Sequence, residues 1–149
     1  MGMPVVQLIT AFFGALGYAI VCNLRKELQL WSAFGGFLCW GTYLLTQHLL
    51  GGEFISCLLA AAVAEIYSEV LARLLHAPAT LFTAPSVIPL VPGGSLFNTM
   101  RAAVANDWAA AWQYGILTIQ CALAIAVGIS LVWAVLFMRK ESARMRAKT

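Results

Sequence analysis

The chain carries very little charge. Only 10% of its 149 residues are Asp, Glu, Lys or Arg, where a soluble domain has about 25%. It has two histidines, and its four cysteines (Cys22, Cys39, Cys57 and Cys121) stand singly with no Cys-x-x-Cys spacing. The usual sequence signs of a metal or redox centre are therefore missing, and the cysteines read as small buried hydrophobes. No His-Glu-x-x-His, paired-aspartate or Ser/His arrangement is present, so no enzyme class is indicated and neither cofactor nor metal is expected. The first residues lack the basic start and Ala-x-Ala-type cleavage pattern of a secretory signal, and also the Ser or Thr of a myristoylation signal.

What is there instead is apolar. Hydrophobic residues make up 62% of the chain and fall in runs of roughly 20, the length that crosses about 30 Å of hydrocarbon. The pattern predicts an all-α integral membrane protein forming a single membrane domain over 1–149. About five transmembrane helices are expected, at 5–24, 31–50, 54–75, 80–100 and 112–138, the fourth broken at Pro89–Gly94, with a basic tail at 139–149. Of the nine Lys and Arg residues, numbers 25, 26, 73, 139, 140, 144, 146 and 148 then share one side and Arg101 has the other. The positive-inside rule makes the crowded side cytoplasmic. The N-terminus then lies outside and the C-terminus inside a plasma or inner cell membrane. The same split requires the broken segment to cross fully. A basic tail so placed attracts anionic lipid rather than nucleic acid.

Small residues mark close helix approach: Gly14 and Gly17 with Ala11 and Ala15, then Gly35, Gly36 and Gly41, then Ala124-x-x-x-Gly128. Asn23 suits a helix cap, and His48 a wetted helix end. Trp108, Trp112 and Tyr114 form an aromatic belt, and Gln120 is placed to hydrogen-bond a neighbouring helix.

The most unusual stretch runs Pro85-Ser-Val-Ile-Pro-Leu-Val-Pro-Gly-Gly-Ser-Leu-Phe-Asn-Thr-Met100. Each proline removes a backbone donor and blocks the helix behind it. Unpaired backbone in hydrocarbon costs several kcal/mol, so such a break persists only under protein or water. Gly/Pro-interrupted spans are the usual pointer to a transporter's binding site. A half-helix starting at Gly94-Ser95 would aim free N–H groups and a positive dipole end at a carboxylate ligand. Pro89, Pro92, Gly93, Gly94, Ser95 and Asn98 are the path candidates here; the competing reading is a proline kink that only fits its neighbours.

The third span adds Glu65, Tyr67, Ser68 and Glu69. Positions 65, 69 and 73 share one helical face. Glu69 and Arg73 read as an interfacial ion pair, with Glu69 also kept among the path candidates. Glu65 lies deeper, where a charge costs about 2.5–3.5 kcal/mol on translocon scales, and is the proton-coupling candidate.

Three pieces, Gly17-Tyr-Ala-Ile-Val-Cys-Asn23, Tyr67-Ser-Glu-Val-Leu-Ala-Arg73, and Ala77-Pro-Ala-Thr-Leu-Phe through Ile88-Pro-Leu-Val-Pro-Gly-Gly-Ser95, resemble the small, all-membrane half of the threonine/serine exporter family. The likeness extends over nearly the whole chain in span order and motif position. It implies a secondary transporter exporting threonine and serine or, in a split two-protein variant, dicarboxylates such as succinate, driven by proton-motive force. It also implies a larger membrane subunit as partner. Five thin spans hardly enclose a path, so assembly with that partner or into a homo-oligomer is expected. The alternative is a non-transporting membrane scaffold whose glycines and prolines serve packing alone.

Overall fold

The computed structural model describes residues 2–146, with side chains for residues 4–139. The basic tail expected at 139–149 therefore lies, beyond Arg139, outside the described side chains. The elements are α1 (Gly2–Val21), α2 (Lys26–Leu50), α3 (Glu53–Leu74), α4 (Thr80–Val87), a 3-10 turn (Ile88–Leu90), α5 (Gly93–Val104) and α6 (Trp108–Arg146). Four helix exits use the left-handed region: Asn23 after α1, Gly51 after α2, His76 after α3 and Asn106 after α5, with φ of 53°, 67°, 50° and 59°. Glycine and asparagine adopt it most readily, which lets the chain reverse within a few residues.

Contacts along the helices fix their directions. α2 runs against α1, since Gly36 abuts Ala15 and Gly41 abuts Leu8. α3 runs against α2, with Cys39 Sγ 3.6 Å from Ala60 O and Tyr67 Oη 2.9 Å from Trp31 O. α4 and its 3-10 turn run against α3, Phe82 clustering with Leu71 and Leu90 with Cys57. α6 meets Leu90 at Cys121 and Thr99 at Gly115, so it runs against both halves of the broken unit. The halves are bent by 47°, well short of a reversal. α4 and α5 thus progress in one sense along α6.

Three helices are long and apolar enough to cross a bilayer: Pro4–Val21, Glu53–Leu74 and Trp108–Arg139. The bent pair Thr80–Leu90 and Gly93–Val104 makes a fourth if both halves form one span. α2 has the length, at 25 residues, but falls below that apolarity. The described helices thus give three to four spans on these criteria, where the apolar runs led us to expect five.

Small side chains hold the bundle together. Ala60, Ala61, Ala64 and Ala124 are fully buried in a cluster that α3 and α6 share with α2 and the broken unit. A Cβ on Gly128 would sit 2.7 Å from Leu58 O, and one on Gly35 would run into Ser86. On α1 the buried stripe is Ala11, Ala15 and Ala19, while Gly14 and Gly17 face open space. Those two glycines were expected at a close approach; among the described residues, nothing approaches them.

Candidate functional site

The prolines leave backbone groups that need cover, and protein supplies it. Pro85 has no N–H for Leu81 O, which accepts instead from Ser32 Oγ of α2 at 3.4 Å. Ile88 O accepts from Val91 N at 3.2 Å, and Cys121 Sγ of α6 lies 3.6 Å from Leu90 O. At the start of α5, Gly93 N–H donates to Val91 O and Leu96 N–H to Pro92 O. Among the described residues, the N–H groups of Gly94 and Ser95 have no backbone acceptor. They are the orphan donors of a helix start.

Those residues wall a cavity of about 180 Å³, room for about six waters. Pro89, Leu90, Val91, Pro92, Gly94 and Ser95 form its break side. Trp40 and Tyr43 of α2, Glu53 and Cys57 of α3, and Cys121 of α6 complete it. A second cavity of about 240 Å³ lies on the α1 side, lined by Gln7, Thr10, Ala11, Trp40 and Pro89. Trp40 and Pro89 thus stand between the two. The Trp40 Nε1–H is buried without an acceptor, a costly state that a polar ligand or water would relieve. A Cβ added at Gly93 or Gly94 meets nothing within 4 Å, and neither has a positive φ. Internal packing therefore does not demand glycine there, and a bare backbone leaves room for a close-lying ligand.

The path candidates divide between this cavity and the α3–α4 contact. Pro89, Pro92, Gly94 and Ser95 line the cavity; Gly93 and Asn98 do not. Glu65 is 5% exposed and accepts a 2.9 Å hydrogen bond from Thr83 Oγ1. It is not among the residues that line this cavity. Glu65 instead grips α4 six residues before Pro89. Ser68 is buried and donates to Ala64 O at 2.7 Å. Tyr67 reaches Trp31 O and lies against Phe34. Glu69 and Arg73 pair across one turn at 3.3 Å.

Outside the broken segment, five cavity residues went unrecognised as site residues in the sequence: Trp40, Tyr43, Glu53, Cys57 and Cys121. The cysteines look solitary because 64 positions separate the two that meet. Glu53, at the first turn of α3, reads as an ordinary helix-end carboxylate until α2 and the break close over it.

No curated protein and no solved structure matches the chain. The family described as "Threonine/Serine exporter, ThrE" matches residues 7–135, a stretch that includes the cavity, the break and the Glu65–Thr83 contact. By that match, the chain belongs to the threonine/serine exporter family.

Proposed function

We propose that the chain is the small subunit of a proton-coupled secondary transporter, and that its substrate passes through the cavity at the Pro89–Ser95 break. Its family is one of membrane transporters rather than enzymes, and its helices are apolar enough for a bilayer. The observation that carries the reading is the cavity itself. A proline-broken segment, covered by protein, brings Gly94 and Ser95, whose N–H groups have no backbone acceptor, to the wall of a space the size of a small metabolite that Glu53 of α3 also lines. Interrupted membrane helices bind substrate at such places. Glu65, buried and fixed to α4 through Thr83, is the proton-coupling carboxyl in this reading.

A larger membrane subunit completes the path. Gln120 supports this, because it is exposed in the middle of an apolar helix and makes no hydrogen bond among the described residues. A polar side chain at that depth calls for a protein neighbour. The alternation of helix directions puts Arg25, Lys26, Arg73 and Arg139 at one end of the bundle and Arg101 at the other. That distribution favours an outside N-terminus, a cytoplasmic C-terminus and five crossings including α2.

The test is co-reconstitution with the larger family subunit and counterflow of labelled threonine, serine and succinate. Exchange that requires both chains supports the proposal. Exchange at the full rate by the partner alone makes this chain a scaffold.

A further inference from the structure

Glu53 is half-buried on the cavity wall. The ion pairs among the described residues are Arg25–Glu27 and Arg73–Glu69, both at the opposite end of the bundle. No Lys, Arg or His lines the cavity, and Glu53 makes no side-chain hydrogen bond among the described residues. Its neighbours there include Trp40 and Tyr43, whose rings stack with centroids 4.9 Å apart. An unpaired carboxylate beside aromatic faces, in a site partly screened from water, attracts a cation. Gly94 and Ser95, whose N–H groups have no backbone acceptor, line the same cavity. The lining therefore holds a group that suits a positive charge and groups that suit a negative one.

We propose that Glu53 binds the ammonium group of a transported amino acid and makes the cavity select zwitterions over dicarboxylates. This rests on reading the cavity as the substrate site. A dicarboxylate would bring like charge against Glu53 with no cation to offset it. The helix-end position of Glu53 also favours a carboxylate through the α3 dipole, but that role alone leaves substrate choice unchanged when the charge is removed.

Counterflow in vesicles holding this chain and the larger family subunit tests the assignment. Wild type is expected to exchange threonine in preference to succinate. Glu53→Gln is expected to raise the half-saturation concentration for threonine by about tenfold, as loss of a partly desolvated charge partner does, and to narrow the preference. Glu53→Asp keeps the preference. Competition on the wild type adds a readout that needs no variant: threonine methyl ester, which keeps the ammonium, competes, while N-acetylthreonine does not. A Glu53→Gln protein with the wild-type preference, or competition by N-acetylthreonine equal to that of threonine, overturns the proposal and leaves the exporter reading standing. Absence of any counterflow by the wild-type pair overturns both.

Discussion

The Sγ atoms of Cys57 on α3 and Cys121 on α6 lie 2.7 Å apart, and both thiols line the cavity at the break. The helices run parallel here, with Gly128 of α6 set against Leu58 and Ala61 of α3. Both thiols are free, so an oxidant that enters the cavity has a dithiol to act on. Diamide, an azo oxidant, takes two hydrogens from such a pair, becomes the hydrazine and leaves one disulfide. Oxidation followed by denaturation and maleimide counting is expected to show two fewer reactive thiols per chain. Cys57→Ala should lose none of its remaining thiols under the same treatment. Because Cys121 also touches Leu90 O of the break, the cross-link should slow counterflow, and dithiothreitol should restore it. An unchanged thiol count would mean that α3 and α6 do not meet in this register.

The Glu65–Thr83 hydrogen bond couples the third helix to the segment that leads into the break. Glutamine at 65 keeps an acceptor for Thr83, so Glu65→Gln is expected to insert and assemble normally. It should retain counterflow, which needs no driving force, and lose export driven by a pH gradient. Full gradient-driven export by that variant would refute the proton role. Thr83→Val removes the donor and leaves a buried carboxyl without its side-chain partner, a loss of roughly 1–3 kcal/mol. Thermal melting in detergent reads that cost separately from transport.

Much of the fold was legible because it follows from local covalent facts. Prolines 89 and 92 interrupt the α-helical ladder, and apolar runs in a chain this poor in charge have few destinations other than a bilayer. Which face of each helix meets its neighbour was not legible. In a membrane helix the outward face is as apolar as the inward one, so the periodicity that marks a buried stripe in water is lost. Gly14 and Gly35 look alike in sequence, yet one faces outward and the other abuts Ser86. Asn98 follows the break by a few residues, one turn further along α5 than Gly94 and Ser95, and is not on the cavity wall. Glu53 shows the converse: its surroundings come from α2, α6 and the break, none of which its own stretch of sequence describes.

Three glycines in three settings separate packing from function. A methyl at Gly128 would lie 2.7 Å from Leu58 O and 3.1 Å from Ala61 Cβ, and the backbone carbonyl cannot swing aside. Gly128→Ala is therefore expected to force α3 from α6 and destabilise the protein by roughly 1–3 kcal/mol. Gly14 meets nothing within 4 Å, so Gly14→Ala should be neutral or stabilising by up to about 1 kcal/mol through helix propensity. Gly94 is equally open but faces the cavity. Gly94→Val is expected to melt within a few degrees of wild type while raising the half-saturation concentration for counterflow, because the added carbons occupy ligand space. Gly93→Val, one residue away and off the cavity wall, should do so much less. A Gly94→Val melting temperature depressed as far as that of Gly128→Ala would show that the glycine serves the fold. Normal melting with impaired exchange would assign it to the path.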